Sequence, residues 1–350
     1  MDQPILIFDG HNDALMNYAP VGEDSIGDFL SGRVDRQLNL PKAHQGHLAG
    51  GLFAVFIEDD ASMNMISNFD PSQEYVLPAM EFNTAQRMTM AMVANLYRIE
   101  AASNGQVKVV RDSHELEACI QQGVFATVLH FEGAEQIDTD FYALDVYYRA
   151  GLRSLGIVWS RPTPFGYGVP FKFQHSPDTG PGLTDAGIAL VKACNQMGIM
   201  VDVSHLNEKG FWDVVKHSDA PVVASHSNAW AVTPLTRNLT DKQLDAIKES
   251  GGIVGVNFVT ILAREDARDD ADTPLETLVR HVDYLVGRMG IDHVGFGSDF
   301  GVASVPKDLR DVSRYPNLIA ALRRAGYDEA ALRKLGTENW LRVLRQTWKA

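Results

Sequence analysis

Only two cysteines occur in 350 residues, Cys119 and Cys194. They lie in helix-like stretches without CxxC spacing, which argues against a disulfide scaffold and against a paired-thiolate metal or redox centre; both read as reduced and structural. No GxGxxG fingerprint follows the first apolar segment, which weakens a dinucleotide fold. Basic residues are in the minority, 31 against 45 acidic, for a net charge of -14. With no basic block to neutralise phosphates, nucleic acid is not an expected partner. No apolar run approaches the length of a membrane span, and the first residues, MDQPILIFDGHND, show neither a basic n-region nor an apolar h-region. The expected location is the cytoplasm, with no membrane as partner.

What is present is a repeated alternation. Eight short apolar segments read as buried parallel strands because their apolar residues run on without alternating. They cover 5–13, 51–57, 124–133, 152–159, 198–205, 220–227, 251–258 and 293–300. Between them lie amphipathic helix patterns such as LTDAGIALVKACNQMG and PLETLVRHVDYLVGRMG, several opening on Ser, Thr or Asp and closing on Gly. Eight strand and helix alternations predict a closed (β/α)8 barrel of the α/β class, with an open doubly wound sheet as the alternative. Residues 1–350 read as one barrel domain, with C-terminal helices from about 328 to 350 packing on it. The long connections 14–50 and 160–182 follow strand C-termini and are expected to cover the active face.

Chemistry-bearing residues gather at those strand ends. His11 and Asp13 stand two apart in FDGHND, so in a strand they share a face and can aim at one metal ion. Alone the pair says little, since a strand-end histidine is commonly structural. However, Glu132, His205, His226 and Asp299 also end their expected strands, and catalytic residues of this barrel come from that face. Three histidines and three carboxylates at one mouth form a zinc-type ligand set. The remaining histidines carry less. His44, His47, His114, His217 and His281 lie in loops or helix patterns and read as solvated or capping. His130, two before Glu132, can support the site from behind, His293 opens the eighth strand at the opposite face, and His175 in a long loop has no assignable place.

On DGHND, HFEG, MVDVSH, PVVASHSNA, RNLTDKQL, GGIVGVNF and GSDF, spread nearly end to end, the chain resembles the membrane (renal) dipeptidases of the metal-dependent amidohydrolase superfamily. That resemblance implies a dipeptidase with two divalent ions, zinc by expectation. His11 and Asp13 would hold one, His205 and His226 the other, and Glu132 would bridge them. Asp299 matches the proton-transferring aspartate and Arg237 the substrate-binding arginine; without the resemblance Arg237 would read as a surface helix-cap residue. The implied substrate is a small dipeptide, L-Xaa-L-Xaa or L-Xaa-D-Xaa, cleaved by a hydroxide bridging the metals, whose bound water has its pKa lowered from about 15.7 towards neutrality. A homodimer is left open.

Two departures stand out. Trp159 fills the position of the family's carbonyl-contacting His, in Val158-Trp159-Ser160-Arg161-Pro162, so Trp159 is a candidate substrate wall or N–H donor and Arg161 a candidate substitute for the lost cation. Gly301 follows Phe300 where the family commonly has Asp. Hydrolysis of an N-acyl amino acid or a lactone is the alternative within chemistry, and a non-catalytic, metal-stabilised barrel the alternative outside it.

Overall fold

The computed structural model describes residues 4–18, 23–32, 36–301 and 303–349. Eight parallel strands form the frame: β1 (Ile7–Asn12), β2 (Leu48–Val55), β3 (Phe125–Phe131), β4 (Leu152–Gly156), β5 (Met200–Asp202), β6 (Val223–Ala224), β7 (Ile253–Val256) and β8 (Val294–Phe296). Each pairs with the next, β8 pairs with β1 through Asp9 and Phe296, and the ring is closed. The (β/α)8 barrel is therefore the fold, and the open sheet is excluded. Several strands are shorter than their apolar segments, because backbone at the mouth leaves the ladder to present side chains. The segment 220–227 keeps only two residues in the sheet.

Three short strands were not anticipated. Val107–Val109 adds in parallel beside the start of β3, and Glu74–Tyr75 pairs antiparallel with Phe171–Lys172 in the connections above the mouth. Helices form where the patterns place them, at Phe82–Ala102, Asp185–Met197, Asp241–Glu249 and Glu276–Met289. Thr184 caps the second of these through the Gly187 N–H, and Gly198 ends it in the left-handed region at φ 74°. Among the described residues no helix is long and apolar enough to cross a membrane.

Two apolar layers hold the frame. The larger packs the helices onto the outside of the strands, with Phe53, Leu129, Leu155 and Val254 among its members. The smaller gathers Phe8, Leu52, Val128, Met200, Val223 and Ile253 around Trp340, Val343 and Leu344 of the last helix, Asn339–Thr347. The C-terminal helices are Glu329–Arg333 and Asn339–Thr347, joined without a break by a wide turn over Lys334–Glu338. Trp340 reaches so far into the barrel that any Cβ on Gly10 would collide with its ring, and its indole N–H donates to the Phe296 carbonyl at 3.0 Å. Gly255 and Gly295 lie against the same ring, so the strands can pass this close to Trp340 only where they carry glycine.

Candidate metal centre and active site

His11 sits where β1 goes out of register with β2, the pairing slipping between Asp9 and Asn12. Such irregularities re-aim side chains at active sites, and here His11 and Asp13 both turn inward, 3.6 Å apart. Glu132 follows directly on β3. His205 and Asp299 lie three residues beyond β5 and β8, and both have left-handed backbone, φ 69° and 64°. Non-glycine residues held there cost on the order of 1–3 kcal/mol each, and that strain marks positions where the fold serves the site.

The six strand-end residues meet. His11 Nε2 stands 3.7 Å from Glu132 Oε2 and 3.7 Å from Asp299 Oδ1. On the other side, Glu132 Oε1 is 3.0 Å from His205 Nε2 and 3.3 Å from His226 Nε2, which are themselves 3.0 Å apart. Glu132 therefore belongs to two ligand groups at once, one with His11 and Asp13, the other with His205 and His226.

The donor chemistry fits cations in both groups. His11 Nε2 and Asp13 Oδ1 are buried without a hydrogen-bond partner, which is costly unless something else engages them. Burial works against a charge on His11, yet Glu132, Asp13 and Asp299 together raise its pKa to about 10, so the carboxylates demand a positive charge at this spot. Burial, with Arg237 and His11 adding to it, holds His205 and His226 well below the ordinary histidine value, leaving neutral imidazoles suited to ligation. Asp299 is raised to about 6 by burial and by Asp13, with His11, Asn257 and Arg237 pulling the other way.

A cleft of about 590 Å³ opens on this cluster, lined by Asp13, Glu132, His205, Arg237 and Asp299 and by an apolar wall that includes Phe56, Met65, Trp159 and Leu262. Of the two connections expected over the mouth, 160–182 contributes Phe171, while the described part of 14–50 lines none of the cleft. That stretch instead folds into three helices, and the wall is completed by Asp60–Ser67, the segment around 259–269, and Ala303 and Ser304. Arg237 is no surface cap. Its guanidinium is buried, donates to Ser227 Oγ at 3.0 Å and the His226 carbonyl at 2.9 Å, and leaves Nε unpartnered. Among the described residues no carboxylate lies within ion-pair distance of it, and burial brings its pKa down to about 10 despite Asp299 and Glu132.

Trp159 is nearly buried, packed on Phe56 at 4.8 Å and His205 at 5.6 Å between ring centroids. Arg161 does not replace the lost histidine. It is withdrawn from the cleft wall, stacked on the indole at 4.9 Å and paired with Asp59 at 3.3 Å and Glu135 at 3.8 Å. Gly301 has φ 144° and abuts Asp13, whose Cβ would lie 2.7 Å from any Cβ placed there, so an Asp at 301 has no room in this chain. His281 is a correction: it is fully buried, accepting from the Ala229 N–H and bonded to the Ala263 carbonyl, because its helix turns that face to the barrel. His130 does stand behind the site, edge-on to His11 with ring centroids 5.3 Å apart and 3.7 Å from Asp202. Sequence reasoning missed Asp9, Asp202, Ser225 and Ser298, buried residues below the cluster that order its backbone. For the two aspartates the one signal was repetition, in FDGHND and VDVSH, of an Asp two or three residues before a strand-end histidine.

A closed parallel barrel with imidazoles and carboxylates converging at its mouth defines a metal-dependent hydrolase of the amidohydrolase type. A model of the membrane dipeptidase family, peptidase family M19, matches residues 1–350, and the chain belongs to that family. A metallopeptidase from Rhodobacter sphaeroides, solved with a phosphinate mimic of the dipeptide L-Ala-D-Ala, is 47% identical, with 99% of this chain and 100% of that one covered and a TM-score of 0.95. The solved dipeptidase AC, a metallopeptidase of family M19, is likewise 47% identical over 99% of this chain and all of that one, with a TM-score of 0.96. The dipeptidase tcpJ of Claviceps purpurea is 28% identical over 97% of this chain and 76% of that protein.

Proposed function

We propose that this metal-dependent dipeptidase hydrolyses L-Xaa-L-Xaa and L-Xaa-D-Xaa dipeptides with two zinc ions, using His11 and Asp13 for one, His205 and His226 for the other, and Glu132 for both. The observation that carries the reading is the division of Glu132, one oxygen towards His11 and the other towards the two remaining histidines. When bound, the ions supply Lewis acidity and lower the pKa of attacking water.

The chain's own residues supply the rest. Asn257 donates to Asp299 Oδ2 at 2.7 Å and leaves Oδ1 turned to the cluster, free to take a proton from water and return it to the leaving amine. A carboxylate so placed can act in both directions of that transfer, as base towards water and as acid towards the amine. Arg237, a buried cation with no carboxylate partner among the described residues, receives the free carboxylate of the substrate. Trp159 and Phe56 form the wall that keeps water off the scissile bond and gives an apolar side chain a surface. Support for the substrate class comes from the dipeptide mimic held by the Rhodobacter sphaeroides relative.

We also assign the protein to the cytoplasm, since both cysteines are buried free thiols, the state a reducing compartment maintains. The test is a library of dipeptides with L and D residues at each position, with metal measured on the same sample. Turnover of L,L and L,D members by protein carrying close to two zinc equivalents is expected. Metal-independent turnover, or cleavage of N-acyl amino acids or lactones in preference to every dipeptide, would overturn it.

A further inference from the structure

Beneath His226 lies a chain of hydrogen bonds whose direction follows from counting hydrogens. Asp202 Oδ1 accepts the backbone N–H of Ser204 at 3.0 Å and of Ser225 at 2.9 Å. Its Oδ2 accepts the Ser225 hydroxyl at 2.5 Å. A hydroxyl has one hydrogen, so with that hydrogen given to Asp202, Ser225 Oγ can only accept from His226 Nδ1, 2.7 Å away. His226 then carries its hydrogen on Nδ1 and turns the Nε2 lone pair towards Glu132 and His205.

Asp202 lies close enough to His11 and His226 to be grouped with them as a ligand, but Oδ1 is filled by two backbone N–H groups and Oδ2 is engaged by the Ser225 hydroxyl. His130 Nε2, at 3.7 Å from Oδ2, is too far to compete for it. His205 is served differently, by the hydroxyl of Ser160 at 2.8 Å from Nδ1.

We propose that Asp202 and Ser225 are positioning residues that fix His226 in the tautomer with a free Nε2, so that the centre receives a ligand and not an N–H. The inference rests on the reading of His226 as a metal ligand. Its particular consequence lies in Asp202→Asn. The two backbone N–H donors keep an oxygen at the Oδ1 place, so the new amide nitrogen must face Ser225 Oγ. It donates there, the hydroxyl hydrogen turns to His226 Nδ1, and the imidazole is driven to the Nε2–H tautomer. Removing the hydroxyl as well breaks this reversed chain, because Oδ2 and Nδ1 are 4.0 Å apart and cannot bond directly.

The experiment compares wild type, Ser225→Ala, Ser225→Thr, Asp202→Asn and the Asp202→Asn/Ser225→Ala double variant. Each is stripped of metal and titrated with Zn2+ against a chromophoric chelator, and the melting temperature of the stripped protein is recorded. Loss of an outer partner typically weakens metal binding about 10- to 100-fold. We expect the low end for Ser225→Ala, the high end for Asp202→Asn, near wild-type affinity for Ser225→Thr, and recovery of the double variant to the Ser225→Ala level. A merely structural role predicts that the two losses add, and a double variant weaker than Asp202→Asn refutes the relay. If the Asp202 variants fail to fold, Ser225→Ala binding zinc as tightly as wild type refutes it equally. A wild type that binds no zinc overturns the reading of the site itself, and with it the relay, and this outcome is seen in the first titration.

Discussion

His281 gives the sharpest stability prediction, because its two ring nitrogens are committed to opposite roles. Nδ1 accepts the Ala229 N–H at 3.2 Å, and Nε2 bonds the Ala263 carbonyl at 3.0 Å, which requires the neutral ring with its hydrogen on Nε2. A second proton on Nδ1 would face an N–H in a fully buried site. Burial accordingly brings the pKa from 6.5 to about 4, with Arg280 adding to the shift and the Ala263 bond opposing it. Between these two values the unfolded chain binds the proton and the folded one does not, so stability falls as pH drops through 6.5 and levels off below about 4. The shift corresponds to roughly 3 kcal/mol in full, about 2 of it already lost at pH 5. His205 and His226 are also held below the ordinary histidine value by burial, so the measurement is a difference. His281→Gln can supply an acceptor and a donor without a charge, and denaturant midpoints of both proteins, metal-stripped, are compared at pH 8 and pH 5. Wild type should lose about 2 kcal/mol more than the variant over that interval. Equal losses would refute the argument that this imidazole is held neutral.

Asp299→Asn should keep its fold and most of its metal yet lose about 10² to 10⁴ in kcat/KM, since an amide cannot hold the transferred proton; activity within a few-fold of wild type removes that role. Amidating the C-terminus of a good dipeptide should cost on the order of 2–5 kcal/mol in kcat/KM, because the buried Arg237 charge is then left unpaired; equal turnover of the free and amidated forms excludes it. Trp159→Phe keeps the stacking on Phe56 and His205 but removes the indole N–H, so a clear drop in kcat marks a donor and an unchanged rate marks a packed wall. Gly301→Asp should lower the melting temperature and the zinc content together, because the new Cβ presses on Asp13 in a φ region that costs about 1–3 kcal/mol; a variant with both unchanged contradicts the close packing.

The barrel was legible because its evidence is local and repeated. Eight continuous apolar segments separated by capped amphipathic helices leave few topologies, and strands buried on both faces have no need of polar alternation. The six strand-end residues were legible for a related reason: a parallel barrel delivers every strand's C-terminus to one mouth, so position along the segment already implies convergence. Strand ends were read too long because the ladder stops at Asp202 and Phe296, three residues before the left-handed backbone of His205 and Asp299, and nothing in VDVSH or GSDF announces either.

The remaining features depend on contacts between residues far apart in the chain. That His281 is buried and neutral follows from Ala229 and Ala263, 52 and 18 residues away, closing on its ring. Withdrawal of Arg161 from the cleft comes from Asp59 and Glu135, which outbid the mouth for its charge. The hydrogen on His226 is placed by Asp202, a residue on a different strand. The sequence by itself determined the barrel, the mouth and the kinds of ligand gathered there, because periodicity and strand ends are properties of single segments. Only the tertiary structure decided which charges are buried and which nitrogen of an imidazole is free, since burial and hydrogen-bond direction are set by neighbours brought in from elsewhere in the chain.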